Sequence, residues 1–310
     1  MSLISHQNVL VIIPTFNRAH YLSEAVESVL AQDHCQKKIM IVDDGSTDGT
    51  RELCRAFMEN HPEIITYVHK KNGGCSSARN KGLDAIDDSI DYVCFLDSDD
   101  RFLPGKLSRE VRLLTENPDA DFTYSDAIIF DTQTGIEKRQ RAAAADDPGK
   151  FPIELFTTNE AKTSATMYRA GVVASVRFRE DFMHNEDTHF LQNIAMQHKA
   201  VYADQPGTWV RWHDGSKSRN TIEILKAVIK SNQELILAYP AFHVEHMEKI
   251  DAHAKRTRRH LAVELLLNRR FSEVPQYTDD SFLLLQSTLR LPYFHQSRRR
   301  VSSFINRHFK

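Results

Sequence analysis

The densest group of acids in the chain is Asp97-Ser-Asp99-Asp100, three carboxylates in four residues. Carboxylates this close repel one another, so the arrangement wants a cation. Mg²⁺ or Mn²⁺ fits, because such ions are held by oxygen, through one or two carboxylates plus substrate phosphates. The plainer alternative is a polar strand-to-helix turn with an aspartate cap. Asp43 and Asp44 form a second acidic pair. They can accept from a base N–H or a ribose hydroxyl, or shape an Asx turn before Gly45. Arg79 lies four residues after Cys75 in Asn72-Gly-Gly-Cys-Ser-Ser-Ala-Arg-Asn80. Its guanidinium suits a pyrophosphate or a base, with a surface ion pair as the alternative.

The elements around these residues alternate between two periods. Residues 9–13 (VLVII) are a continuous apolar run, as in a strand buried on both faces. Leu22, Ala25, Val26, Val29 and Leu30 make a helical stripe. Further strands are expected at 39–42, 64–68, 92–96 and 121–124. Helices are expected over 51–58 with Asp48 as N-cap, up to Ile86 with Ser76 or Ser77 as cap, and after Pro104 in a first turn. This β-α-β order predicts an α/β fold, a mostly parallel sheet with helices on both faces. Ligands of such sheets bind beyond the carboxyl ends of strands, which is where Pro14-Thr-Phe-Asn-Arg18, Asp43–Asp48 and Asp97–Asp100 fall. Residues 139–150 (RQRAAAADDPGK) read as an exposed loop, or through their alanines as a short helix, 164–168 as a strand and 187–197 as a helix. From Thr221 the chain has no glycine and carries helical stretches at 222–238 and 252–268. The expected division is a catalytic domain over 1–220 and a helical region over 221–310.

Four segments in order, Pro14-Thr-Phe-Asn-Arg18, Val42-Asp-Asp-Gly-Ser-Thr-Asp48, Asn72-Gly-Gly…Ala78-Arg-Asn80 and Phe95-Leu-Asp-Ser-Asp-Asp100, resemble family 2 glycosyltransferases of the GT-A fold. The likeness runs over roughly residues 9–218. It implies inverting transfer from a nucleotide-sugar, usually UDP-linked, to a saccharide or lipid-linked saccharide acceptor. By that pattern Pro14, Thr15, Arg18 and Ser98 line the donor nucleotide, and Asp44 or Asp43 meets the uracil or ribose. Arg79 contacts the base or diphosphate, Asp97 meets the ribose or metal, and Asp99 binds Mg²⁺ or Mn²⁺. Met183-His-Asn-Glu-Asp187 resembles the family's Glu-Asp pair, which makes Asp187 the catalytic base and Glu186 an acceptor or support residue. Trp209-Val-Arg-Trp-His213 resembles the segment whose histidine lies near the diphosphate and metal, assigning His213 to the metal. Taken alone, Glu186-Asp187 would read as acids complementing a helix dipole, and His213 as a loop histidine.

Processive relatives carry Gln-x-x-Arg-Trp and membrane spans. Here Thr208 stands in the glutamine position and no run of about 18 apolar residues exists, which implies transfer of a single sugar. A sugar-phosphate nucleotidyltransferase would show a glycine-rich loop after the first strand, and a dinucleotide oxidoreductase a GxGxxG there; neither is present. A non-catalytic nucleotide-sugar-binding or assembly protein is the remaining alternative, against which the retained Asp187 speaks. Lys and Arg total 40 against 42 Asp and Glu, a net charge of −2 that argues against a nucleic-acid partner. The four cysteines, Cys35, Cys54, Cys75 and Cys94, have no CxxC spacing and read as reduced structural thiols in a cytoplasmic protein. The segment 298–310 carries five basic residues, no acid, and Phe304, Ile305 and Phe309. It is either a solvated helix or a peripheral contact with the inner membrane face.

Overall fold

The computed structural model describes residues 7–277 except 35, 159, 161, 215, 217–219 and 269. The chain divides into two compact units, 1–216 and 217–310. The first unit is built on one sheet, whose β-branched and aromatic runs favour strands and fill its two faces. β1 (Val9–Thr15) is buried along its whole length. It pairs in parallel with β2 (Lys37–Asp43) on one side and β4 (Tyr92–Phe95) on the other, and β2 pairs in parallel with β3 (Ile65–His69). The remaining strands are β5 (Arg101–Phe102), β6 (Phe122–Asp131), β7 (Ile136–Gln140), β8 (Thr166–Arg169) and β9 (Ala200–Trp212). Among the described residues the order is β3-β2-β1-β4-β8-β6-β9-β5, with β7 on β6. The first half is parallel, as the βα alternation requires. The second half is mixed: β8 runs antiparallel to both β4 and β6, while β6 and β9 are parallel.

One core lies on each face. On one, α1 (Ala19–Leu30) and α4 (Lys106–Glu116) bury Leu22, Val26, Val29, Leu107, Val111 and Leu114 against β1, β2 and β4. The other gathers Phe95, Phe122, Tyr124, Phe151, Tyr168, Phe178 and Phe190. Helix α3 (Cys75–Leu83) crosses β1 at very close range. A Cβ built on Gly82 would lie 2.3 Å from Ile12 Cγ2, so only glycine permits this approach.

Several local expectations are corrected. The α2 helix (Thr50–Asn60) has Gly49 at its N-cap position, although Asp48 still accepts the Thr50 N–H at 3.0 Å. Helix α3 is entered through Gly74 at φ +90°, so Ser76 and Ser77 lie inside its first turn and neither caps it. Pro104 precedes α4, which starts after Gly105. Residues 139–150 are only in part an exposed loop: residues 139, 141, 146, 147, 149 and 150 are exposed, but the middle is not. Arg139 and Gln140 end β7, and Ala142, Ala143 and Ala144 are buried in the aromatic core. Small side chains there let the backbone pack where a longer one would collide; the composition read as polar because the flanking arginines and aspartates dominate it. Cys54 and Cys94 are buried free thiols, each pushed up to about 12, chiefly by burial, and are inert as nucleophiles.

The second unit contains α8 (Thr221–Ala238), α9 (Pro240–Leu267) and a 3₁₀ segment (Phe271–Tyr277). Asn220 caps α8 by accepting the Glu223 N–H. The α9 helix begins twelve residues before the predicted 252 and bends at His246, whose φ and ψ are non-helical. Ile222, Leu261, Ala262, Leu265, Leu266 and Val274 form its core. No helix among the described residues is long and apolar enough to cross a membrane. The basic segment 298–310 lies outside the described residues.

Candidate functional site

Because β1, β2 and β4 are parallel, the segments that follow them emerge at one edge. Direct bonds lock them together. Thr15 O accepts the Asp44 N–H at 2.9 Å, the Asn17 N–H donates to Ser46 Oγ at 2.9 Å, and Asn17 Oδ1 accepts the Thr47 N–H at 2.8 Å. Asn17 has φ +52°, a left-handed geometry that asparagine tolerates and that turns the chain into α1. Gly45, at φ +85°, brings the acidic turn within 3.0 Å of the Asn72 backbone nitrogen, measured to a hypothetical Cβ.

The two aspartates of that turn are buried and already bonded. Asp43 accepts from the Ser46 N–H at 2.8 Å and the Tyr67 hydroxyl at 2.8 Å, with His69 Nδ1 at 3.4 Å. Burial and the hydrogen bond to Asp43 push the Tyr67 phenol well above its ordinary range, so it remains a donor. Asp44 accepts from Lys70 Nζ at 2.6 Å, Gly73 N–H at 2.9 Å and Gly74 N–H at 2.7 Å. Asp44 therefore pins the loop that leads into α3.

Arg79, on that helix, is the centre of the arrangement. It is 3% exposed. One terminal nitrogen donates to Asp97 Oδ1 at 2.7 Å, the other to Glu186 Oε1 at 3.3 Å, and the guanidinium lies 5.2 Å from the Phe178 ring centroid. Burial alone would depress its pKa. The charges of Cys75, Asp97, Glu186 and Asp187 outweigh that and raise it well above the ordinary arginine value. The Arg79–Glu186 pair is thus internal, while Asp97 reaches the surface at 42% exposure. The two acids come from distant segments, the loop after β4 and the start of α7 (Glu186–Ala195). α7 is entered through Asn185 at φ +62° and is anchored by Phe190, stacked on Phe178 at 3.8 Å and edge-on to Phe95 of β4 at 5.9 Å. Asp187 is half-buried. Its Oδ1 accepts the Thr188 N–H at 2.8 Å, and Oδ2 has no partner among the described residues.

Asp99 points to the other side of the loop, with His213 Nε2 at 3.0 Å and Arg18 Nε at 3.7 Å. Ser98 and Pro14 are buried beside these groups in sequence. Asp100 faces inward and accepts the Arg211 N–H at 3.0 Å. Burial, then the charges of Asp97 and Asp99, push its carboxyl well above the usual range. Among the described residues no cluster of three or more His, Cys, Asp or Glu side chains is placed to hold a metal. The Asp99–His213 pair does fit one chemically. Asp99 would supply a carboxylate oxygen and His213 an imidazole nitrogen to such an ion, with substrate phosphate oxygens as its further ligands.

Arg211 is a site residue that the motif reading passed over. Its guanidinium donates to the Asp99 carbonyl at 3.1 Å and to Glu24 at 2.7 Å, and lies 4.6 Å from the Tyr21 ring and 4.9 Å from the Trp209 ring. It fixes the acidic loop from behind. The available signal was Trp209 and Arg211 two apart on a strand, which places them on one face. Three polar atoms on β1 and α3, Thr15 Oγ1, Ser76 Oγ and Arg79 Nε, are buried without partners. Such orphans are rare in folded proteins and mark positions where water or a ligand completes the bonding.

A parallel half-sheet with an acidic loop after its fourth strand, followed by a mixed half, is the GT-A glycosyltransferase fold. Staphylococcus aureus TarS 1-349, solved with UDP-GlcNAc, superimposes with a TM-score of 0.59 at 17% identity, over 74% of this chain and 67% of that one. The mannosyltransferase PcManGT of Pyrobaculum calidifontis, solved with GDP-Man and Mn²⁺, gives 0.58 at 18% identity, over 87% and 84%. Residues 10–181 match the family described as Glycosyl transferase family 2, and the chain belongs to that family. TuaG of Bacillus subtilis, provisionally named a teichuronic acid biosynthesis glycosyltransferase, is 38% identical over 130 residues, 42% of this chain and 51% of TuaG. The chain spans about half of TuaG and smaller shares of other curated relatives, down to 15%.

Proposed function

We propose that this protein transfers one sugar from a UDP-sugar to an acceptor hydroxyl with inversion, in the synthesis of a bacterial surface polysaccharide or glycolipid. The observation that carries the reading is the buried Arg79, which ties the acidic loop at Asp97 to the helix that starts Glu186-Asp187. A donor-side loop and a candidate base are thereby held on one support. TuaG's name, and the UDP-GlcNAc in TarS, support the polysaccharide context and the uridine donor. The Thr208 hydroxyl donates to the Ser164 carbonyl at 2.6 Å and is wholly buried, so the position where processive relatives carry glutamine is occupied by an internal structural bond.

In this mechanism the acceptor oxygen attacks the anomeric carbon from the face opposite the diphosphate. The bond from that carbon to the diphosphate oxygen breaks, through an oxocarbenium-like transition state. The hydroxyl proton passes to Asp187 Oδ2, while Oδ1 stays bonded to the Thr188 N–H. Arg18 lies beside Asp99 to meet the charge developing on the leaving group. Asp99 and His213 would hold Mg²⁺ or Mn²⁺, which neutralises diphosphate charge when bound. Thr15 and the orphaned polar atoms near it contact the nucleotide; Asp43 and Asp44 shape its seat chiefly through the loops they bond.

The test is a screen of UDP- and GDP-sugars for metal-dependent release of nucleoside diphosphate, with the anomeric configuration of the product read by NMR. Release from a UDP-sugar with inversion is expected. Asp99→Ala should weaken Mn²⁺-dependent UDP binding about 10- to 100-fold, read by calorimetry, with the melting temperature unchanged because the residue is not core. Wild-type metal dependence in that variant would remove Asp99 from the metal.

A further inference from the structure

Asn80 closes the motif Ala78-Arg-Asn80, and the proposed transfer gives it no role. It is half-buried on α3, one residue after Arg79. Its side-chain amide meets the segment 174–185, which has neither helix nor strand and carries the chain into α7 through Asn185. Both halves of the amide engage one residue there. Nδ2 donates to the Phe178 carbonyl at 2.9 Å, and Oδ1 accepts the Phe178 N–H at 2.8 Å. Nδ2 also donates to Glu180 Oε1 at 3.0 Å. Asn80 therefore pairs with Phe178 as the peptide of a neighbouring strand would. A carboxylate of the same size accepts but cannot donate, so it could make only one of these three bonds.

The residue held in this way is a packing centre behind the site. Phe178 is buried. Its ring stacks on Phe190 of α7 at 3.8 Å, stands edge-on to Phe95 of β4 at 5.1 Å, and has the Arg79 guanidinium 5.2 Å from its centroid. Four residues further on, Phe182 stacks on His189 of α7 at 4.9 Å. The segment thus packs twice against the helix that carries Asp187. Arg177 reaches Asp84, one turn beyond Asn80, at 3.4 Å; that pair is exposed at both ends and worth little. α7 is consequently registered to α3 from two directions. Arg79 bonds its first residue, Glu186, and Asn80 fixes the approach to it.

We propose that Asn80 is a positioning residue for Asp187: through Phe178 it sets where the start of α7 stands relative to the acidic loop. The kinetic part of this role presupposes the proposed transfer; the hold on α7 does not. Asn80 touches no reacting group, so the chemical step should respond to its loss while donor binding does not.

Asn80→Asp keeps the size and the acceptor, removes both donated bonds, and sets a second carboxylate beside Glu180. The kcat for nucleotide release is expected to fall about 10- to 100-fold, as a displacement of about 1 Å at a reacting group can produce. The donor KM, and UDP affinity in Mn²⁺, should stay within about threefold of wild type. Hydrogen exchange of the full-length protein, read by mass spectrometry, should quicken at least about tenfold over residues 176–190 and stay at the wild-type rate in β1 and α1. Wild-type kcat and exchange in the variant would overturn the proposal. So would faster exchange spread evenly over the sheet, which makes Asn80 a residue of general stability, or a loss confined to the donor KM. Should Asn80→Asp fail to fold, Asn80→Ser, which adds no charge beside Glu180, replaces it with the same split expected. A wild-type protein that releases no nucleoside diphosphate from any donor sinks the transfer reading, and the exchange comparison still decides whether Asn80 holds α7.

Discussion

Arg79→Met is expected to lower stability by about 3–5 kcal/mol and to abolish most turnover. The stability figure follows from removing one member of a buried pair. Glu186, 7% exposed, loses the cation that Arg79 supplies. The Asp97 contact adds little to the figure, because that carboxylate is 42% exposed and screened by solvent. Turnover falls for a separate reason: the start of α7 loses the bond that registers it to the acidic loop. Urea unfolding measures the first effect, and nucleotide release at saturating donor the second. A double-mutant cycle with Glu186→Gln should show a coupling of about 1–3 kcal/mol. An unchanged urea midpoint in Arg79→Met would mean that the buried pair does not exist in solution. Arg79→Lys should recover only part of either loss, since an ammonium cannot present two separated nitrogens to two acids.

Asp187→Asn is expected to reduce turnover by about 10²–10⁴-fold, the usual worth of a general base. The amide oxygen can still accept the Thr188 N–H, so the helix start should be preserved. UDP affinity should stay within about threefold of wild type, because the base serves the acceptor. A variant that loses UDP binding yet turns over normally at saturation would place Asp187 on the donor side.

Much of the site was legible before the fold was known, because strand-end loops in a parallel sheet must converge. Residues 9–13 and 92–96 could be read as buried strands from apolar runs alone, and that placed Arg18 and Asp99 at one edge. What could not be read was which carboxylates bond the protein itself. Asp43 and Asp44 look alike in sequence. In the structure one holds Ser46 and Tyr67, and the other holds Lys70, Gly73 and Gly74. The Asp43–Ser46 bond is the turn that the spacing offered, but the Asp44 partners lie on the loop that enters α3, whose crossing of the sheet no spacing rule encodes. The buried alanines at 142–144 were hidden for a related reason. A short side chain is compatible with solvent or with dense packing, and only the neighbours decide.

The close crossing at Gly82 has a consequence for how the protein can be perturbed. Gly82 and Arg79 are three residues apart on α3, hence neighbours on one face. A methyl group at 82 would have to displace Ile12 or lift the helix off β1. Lifting it withdraws the guanidinium from Asp97 and Glu186 together. The gap between helix and strand thus behaves like a gauge block of zero thickness: it sets the reach of an arginine that bonds acids from two distant segments. A substitution that touches no ligand would then present, in kinetics, as damage to the chemical step.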